Sequence, residues 1–281
     1  MPEGEACGQE SVMRVLAFAV WLVALLAGID PAHAERRVAL VIGNGAYKNV
    51  PKLENPAGDA HAMAELLRSI GFDVIEGGDL TRDRMAAYFL NLSKKAEGAD
   101  IAVFYFSGQG VAVEGTNYAL PIDADIKSVM DLKLGAAINL DDTLEQTMSG
   151  AKVKLAFIDA SRVNPFQANG SADGRRLSPA EGLAEMHHAE GSLIAFATSP
   201  GKTALDGPKG GHSPFTQALL DHIAQPGVEI QQVMTMVRAR VHELTNGRQL
   251  PWGSSNLLGT VYLNPKAPAP AGSAGKTKTK N

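Results

Sequence analysis

Polar residues stand at the ends of three predicted strands, where side chains can do chemistry. These ends read GN at residues 43–44, SGQG at 107–110 and DAS at 159–161. Ligands of a parallel sheet bind beyond the carboxyl ends of its strands, so we expect Gln109 and Ser161 to face one crevice. The glycines on either side of Gln109 leave space around it and should display it at the strand end. The alternative is simple turn formation, which Ser, Gly, Asp and Asn favour for local reasons.

A serine and a glutamine do not by themselves make a hydrolytic unit. A serine hydroxyl needs an adjacent base to take its proton as it attacks. Gln109 offers an amide donor and a carbonyl acceptor, but no group that titrates near neutral pH. Asp159 or His212 would have to act as the base, and His212 lies in a loop before a predicted helix. The single cysteine is Cys7, so the rest of the chain has no thiol nucleophile.

Alternating strand and helix patterns predict an α/β fold. Buried strands are indicated by continuous apolar runs at residues 37–44, 72–77, 99–108, 152–161, 192–199 and 257–263. Helices are indicated by apolar residues at helical spacing at residues 56–70, 82–97, 141–148, 214–223 and 230–244. Residues 111–139 are expected to form a polar hairpin and loop, and residues 162–192 a long surface loop. This order favours a mostly parallel sheet covered by helices on both faces.

The two ends of the chain differ in composition from its middle. Residues 1–34 combine one arginine, an apolar run and a small-residue cleavage site at 32–34, which is typical of a secretory signal peptide. The run is short for a membrane span of roughly 20 residues, and an uncleaved anchor is the alternative. Residues 265–281 are rich in Pro, Ala and Lys and predict a disordered basic tail. We therefore expect residues 35–264 to form one domain of an exported protein, periplasmic or extracellular.

Composition and motif spacing disfavour several classes of function. A net charge of -4 at pH 7 gives no reason to expect nucleic acid as a partner. The segment GNGAYK carries Lys48 where a dinucleotide-binding motif needs its third glycine, and GQGVAV fails in the same way. His187 and His188 are adjacent but have no third ligand at metal-binding spacing. We expect no cofactor, no metal and, after signal cleavage, no membrane partner.

The strand-end motifs lie within longer segments that resemble a known family. RVALVIGNGAYKNVPKLENPAGDAHAMAELLRSIGFDV, IAVFYFSGQG, NYALPIDA and KLAFIDASRVNPF resemble the large-subunit half of a bacterial caspase-like, metacaspase-related peptidase (peptidase C14-like). LIAFATSPGKTALDG, HSPFTQALLDHI and PWGSSNLLG are similar to the remaining half. The resemblance runs in order through residues 36–264. It implies the caspase-hemoglobinase fold, a three-layer sandwich with a mostly parallel central sheet flanked by helices.

The resemblance departs from the family pattern at the two catalytic positions. Where the family has Ser-Gly-His-Gly and Asp-Ala-Cys, this chain has Gln109 for the histidine and Ser161 for the cysteine. The resemblance also implies a pocket for an Arg or Lys side chain, built from Asp59, Ser107 and Asp159. Two carboxylates in one pocket favour a cationic ligand. The alternative is that Asp59 is an exposed residue at a helix start and Asp159 a turn former.

Three hypotheses for function follow from these residues. The first is an exported caspase-like pseudopeptidase that binds basic peptide segments or a protein partner without cysteine-peptidase catalysis. The second is an active caspase-family endopeptidase that uses Ser161 as its nucleophile and cleaves after Arg or Lys. The third is a purely structural use of the fold, with an empty crevice.

Overall fold

The apolar runs of the sequence form the strands of one eight-stranded sheet. The computed structural model describes residues 35–161, 182–186 and 189–265, with Ser161 described through its backbone alone. The predicted signal peptide, nearly all of the predicted tail and most of the predicted 162–192 loop lie outside these residues. Within them the strands are β1 Arg37–Gly43, β2 Asp73–Gly78, β3 Ile101–Val113, β4 Thr116–Ala119, β5 Ile138–Asn139, β6 Val153–Ser161, β7 Ser192–Phe196 and β8 Trp252–Ser255.

The sheet is mostly parallel, as the sequence predicts. Its main strands lie in the order β2-β1-β3-β6-β7-β8. The pairs β1–β2, β1–β3, β3–β6 and β6–β7 are parallel, and β8 alone joins this path antiparallel. The short strands β4 and β5 extend β3 as an antiparallel branch. The central pair β3–β6 therefore carries the SGQG and DAS motifs side by side.

The predicted helices are confirmed with small shifts at their ends. The helices of the described residues are α1 Pro56–Ser69, α2 Arg82–Ala96, α3 Val129–Lys133, α4 Leu140–Met148, α5 Pro214–His222 and α6 Ile230–Leu244. Proline at the first position of α1 and α5 fits the missing intrahelical partner there. The short helix α3 and the strands β4 and β5 occupy residues 111–139, where a hairpin and loop were expected.

Helices cover both faces of the sheet and give it three layers. On one face, α1, α5 and α6 pack through buried residues that include Met63, Leu67, Phe215, Leu219, Val233 and Val237. On the other face, α2 and α4 pack through Met85, Phe89, Leu92, Leu144 and Met148. Alternate residues of the central strands enter the two clusters, as the period of two in a strand requires. The predicted three-layer architecture is confirmed.

The strand predicted at residues 257–263 is wrong. The last strand is β8, which precedes that segment, and residues 257–263 form no strand. Val261 and Leu263 are nevertheless buried against the α6 face, and the Val261 carbonyl accepts a hydrogen bond of 2.9 Å from the Ile230 amide. The apolar pattern of this segment therefore reports burial, not strand pairing. None of the helices in the described ranges is long and apolar enough to cross a membrane.

Candidate binding site

The SGQG motif lies inside strand β3, at a β-bulge, and not at a strand end as predicted. Ser107 stands opposite Asp159 on β6, whereas Gly110 stands opposite Ser161, so β3 has one more residue between these two pairs. Beyond the bulge β3 continues to Val113, paired with β4. A bulge of this kind leaves a residue out of the ladder and redirects its side chain.

The two glycines of the motif are required by close contacts, not by an open space around Gln109. A Cβ atom at Gly108 would lie 2.7 Å from the Tyr47 hydroxyl, and one at Gly110 would lie 2.9 Å from both Cβ and O of Ala160. Gln109 itself is buried, with 4% of its surface exposed. The expectation that the glycines display this side chain is therefore wrong, because the space they leave is filled by neighbouring atoms.

Gln109 is held in one orientation, with one of its polar atoms unsatisfied. Its backbone amide donates to the Tyr47 hydroxyl at 2.7 Å, and its side-chain Nε2 donates to the Pro51 carbonyl at 3.3 Å. A carbonyl only accepts hydrogen bonds, so this contact fixes which end of the carboxamide faces Pro51. The other end, Oε1, is buried without a hydrogen-bond partner among the described residues. An unsatisfied buried acceptor of this kind costs about 1–3 kcal/mol.

Asp59 is the centre of a buried polar network. It lies in the first turn of α1 with its side chain fully buried. Its Oδ1 contacts His212 Nδ1 at 2.8 Å, and its Oδ2 accepts from the Ser107 hydroxyl at 3.3 Å. Ser107 is also fully buried. The alternative in which Asp59 is an exposed helix-start residue is wrong, and two of the three predicted pocket residues are in direct contact.

Burial and a second carboxylate keep Asp59 from ionising readily. Desolvation is the main cause and the charge of Asp159 adds to it, and together they raise the pKa of Asp59 from 3.8 to about 7. Hydrogen bonds from His212 and Ser107 act in the opposite direction and are the smaller effect. The site therefore holds two neighbouring acidic groups in a low-dielectric environment, which favours a cation between or beside them.

Asp159 is held by hydroxyl groups from the start of helix α5. Its Oδ2 accepts hydrogen bonds from the Ser213 hydroxyl and, at 3.2 Å, from the Thr216 hydroxyl. Thr216 in turn contacts the buried Tyr105 hydroxyl at 2.6 Å. Burial, with the charges of Asp59 and Asp159, raises the pKa of Tyr105 well above 10. Tyr105 therefore keeps its hydroxyl proton, and its contact with Thr216 supports the carboxylate of Asp159.

The loop that carries His212 is tied to the start of helix α1. The buried side chain of Asn55 donates to the carbonyls of Asp206 at 2.6 Å and Pro208 at 3.0 Å, and accepts from the Gly210 amide at 3.1 Å. Because Asn55 precedes the helix that carries Asp59, one element positions both members of the His212–Asp59 pair.

The other polar residues predicted at strand ends have structural roles. Asn44 is buried and bonds to the backbone of Leu80 and Leu120. In the glycine-rich loop that follows it, the amides of Gly45 and Ala46 donate to the Asp79 carboxylate at 2.9 and 2.8 Å. No group of three or more His, Cys, Asp or Glu side chains in the described part of the chain is arranged to hold a metal.

Four residues of this site were not predicted from the sequence: Tyr47, Asn55, Ser213 and Thr216. A signal for Ser213 is present, because Ser followed by Pro marks a helix start, and its hydroxyl does accept from the Thr216 amide at 2.9 Å. Its second bond, to Asp159, joins residues 54 positions apart and leaves no local pattern. The side chain of Ser161 lies outside the described residues, so the expectation that it faces one crevice with Gln109 stays a prediction.

Comparison with known proteins identifies the same segment of the chain. The model of the caspase domain family, Peptidase_C14, matches residues 36–262. Human mucosa-associated lymphoid tissue lymphoma translocation protein 1 is 34% identical over 99 residues, which are 34% of this chain and 12% of that protein. Its mouse homolog is 35% identical over 95 residues, 32% of this chain and 11% of the homolog. This chain thus spans about an eighth of the length of these relatives or less.

A solved structure has the same fold. The structure of pro-sf-caspase-1 aligns with a TM-score of 0.58 at 19% sequence identity, and the alignment covers 85% of this chain and 94% of that chain. At this identity the likeness concerns the fold alone. The mixed, mostly parallel sheet flanked by helices is therefore a caspase-like α/β fold.

Proposed function

Since this chain belongs to the caspase domain family, Peptidase_C14, we propose that it binds basic peptide segments or a protein partner without cysteine-peptidase catalysis. By the resemblance of SGQG and DAS to the family's motifs, Gln109 stands at the position of the catalytic histidine and Ser161 at that of the cysteine. The protein would act outside the cytoplasm, after removal of the expected signal peptide at residues 1–34.

The observation that carries this proposal is the environment of Gln109. Its carboxamide is buried and donates to the Pro51 carbonyl, and its Oε1 has no partner within the part of the chain that the structure describes. A carboxamide neither takes the proton of Ser161 nor gives one to a leaving amine. Loss of a nucleophile–base unit costs a peptidase on the order of 10⁶ in rate. Gln109 thus keeps a polar side chain at the position of the catalytic histidine, but this side chain cannot transfer protons.

The buried polar network around Asp59 and Asp159, called the acidic network below, supports the proposal that the protein binds basic peptides. Asp59 and Asp159 are both buried, and Ser107 bonds to one and pairs in register with the other. A guanidinium or ammonium group that reached them would gain charge-assisted hydrogen bonds in a dehydrated site. Burying two carboxylates close together costs free energy even where hydroxyl groups and an imidazole contact them. A chain with no use for this crevice would therefore gain from apolar residues at these positions, which favours binding over a purely structural role.

One observation favours the second candidate, a serine endopeptidase that cleaves after Arg or Lys. His212 Nδ1 contacts the buried carboxylate of Asp59 at 2.8 Å. A carboxylate at Nδ1 orients an imidazole so that its Nε2 can act as a base, which is the arrangement of serine-hydrolase triads. In this reading His212, and not Gln109, would activate Ser161.

The binding proposal is tested by calorimetry with peptide amides. We expect a peptide that ends in an arginyl amide to bind and its norleucyl counterpart, of similar length but uncharged, to bind at least tenfold more weakly. Asp159→Asn should weaken the arginyl peptide at least tenfold, because a buried charge pair is lost. Asp73→Asn, on the exposed edge strand β2, is the matched control and should bind as the native protein does. Absence of binding by both peptides would contradict the proposal and favour the structural role.

A further inference from the structure

His212 is the member of the acidic network that reaches solvent. Its side chain is 29% exposed, whereas the side chain of Asp59, which it contacts, is fully buried. Ser107, Asp159 and Ser213 are fully buried as well. Of these side chains, His212 is thus the one in contact with solvent. Its Nδ1 contacts the Asp59 carboxylate, which is the group that a basic ligand would bind.

Hydrogen bonds hold the backbone on both sides of His212, so its side chain can rotate without movement of the loop. Two residues before it, the Gly210 amide is bound by Asn55 at 3.1 Å. Immediately after it, Ser213 bonds to Asp159 and caps α5 through the Thr216 amide. The ring is held by its contact with Asp59, 2.8 Å from Nδ1 to Oδ1. Rotation of His212 about its side-chain bonds would therefore uncover Asp59 without moving the loop.

We propose that His212 is the gate of the basic-residue pocket formed by Asp59, Ser107 and Asp159. In the free protein its imidazole contacts the Asp59 carboxylate, and on binding the cationic side chain of a ligand takes the place of the imidazole. This inference rests on the proposed function and adds a specificity-determining residue to it. The exchange keeps the network satisfied, because one N–H donor to Oδ1 of Asp59 is replaced by another. Ser107 keeps its own bond to Oδ2 throughout. A ligand without a donor at this point would leave a buried acceptor unpaired and would be rejected.

Two changes at position 212 test the gate. His212→Ala removes the competing donor and leaves an imidazole-sized space beside Asp59. We expect it to bind the arginyl peptide amide about tenfold more tightly than the native protein, because no hydrogen bond to Asp59 has to be broken first. His212→Asn keeps an amide donor for Asp59 on a smaller side chain and should bind only a few-fold more tightly than native. This variant also allows the effect of position 212 on peptide affinity to be measured if the alanine variant does not fold.

The chain offers a matched control for loss of a histidine–carboxylate pair. His61 Nδ1 contacts Glu76 Oε1 at 2.9 Å, almost the same contact, but His61 is 68% exposed. His61→Ala should bind the peptide as the native protein does. Added imidazole gives a second readout, because it should fill the space in His212→Ala, raise its Tm and compete with the peptide, while leaving the native protein unchanged.

The possible outcomes separate the gate from the proposed function. If the native protein binds the peptide but His212→Ala and His212→Asn bind it equally or more weakly, the gate is overturned and the binding function stands. If none of these proteins binds the peptide, the proposed function fails, and the gate, which rests on it, is overturned with it.

Discussion

At the scale of single residues, Asp59 sets the electrostatics of the site. Its carboxyl is buried, lies near the charge of Asp159, and has a pKa raised to about 7. An unfolded aspartate has a pKa near 3.8. The folded protein therefore binds more protons at this group than the unfolded chain does between those two values, so the Asp59 contribution to the free energy of unfolding falls as pH rises across that window.

This sign leads to a prediction for Asp59→Asn. The substitution removes the titration, so the free energy of unfolding should decrease less between pH 4 and pH 7 in the variant than in the native protein. Above pH 7 the two curves should run parallel as far as this group is concerned. Urea unfolding at a series of pH values measures both curves. Equal slopes between pH 4 and pH 7 would contradict the account of Asp59.

A second prediction at this scale concerns the two replaced dyad positions. The double variant Gln109→His with Ser161→Cys restores a base and a thiol, whose pKa near 8.5 makes it partly ionised and nucleophilic. We expect it to cleave peptide amides after Arg or Lys, whereas each single variant should remain inactive, because the two groups act as a unit. A fluorogenic arginyl amide gives the rate. A folded double variant without turnover would show that more than these two residues separates the site from an active one.

At the scale of elements, the bulge between β3 and β6 places Gln109. The extra residue in β3 lies between the Ser107–Asp159 and Gly110–Ser161 pairs. The Tyr47 hydroxyl accepts the hydrogen bond of the Gln109 backbone amide there. The sequence predicted the start of both strands to within two residues, because apolar runs report burial, but it ended β3 at residue 108 instead of Val113. It did not predict the bulge, because a bulge depends on how two strands come into register, and their paired residues lie 51–52 positions apart in the chain.

Gly108→Ala tests the packing at this bulge. The added Cβ would lie 2.7 Å from the Tyr47 hydroxyl and 3.1 Å from the Asn44 carbonyl oxygen, and the latter is backbone that cannot yield easily. We expect the variant to lose about 1–3 kcal/mol of unfolding free energy. Gly58→Ala is the matched control, because its Cβ meets nothing within 4 Å and alanine gains about 0.5–1 kcal/mol over glycine in a helix. A Gly108→Ala protein as stable as native would contradict the assigned contacts.

At the scale of the whole molecule, the site is assembled from segments distant in the chain. Asp59 comes from α1, Ser107 and Asp159 from the central strands, and His212 and Ser213 from the loop before α5. The strand and helix pattern, which is local, predicts the three layers. The family resemblance predicts the cluster of Asp59, Ser107 and Asp159. Neither predicts that His212 lies on Asp59, because that contact spans 153 positions and depends on the folded loop.

We propose that the crevice binds basic peptides and does not cleave them. The most direct measurement is mass spectrometry of an arginyl peptide amide after long incubation with the native protein and with Ser161→Ala. We predict that the peptide remains intact in both samples, because the residue beside the expected nucleophile position is a carboxamide with no proton chemistry. Cleavage after arginine by the native protein that is lost in Ser161→Ala would contradict the claim and establish the serine peptidase in its place.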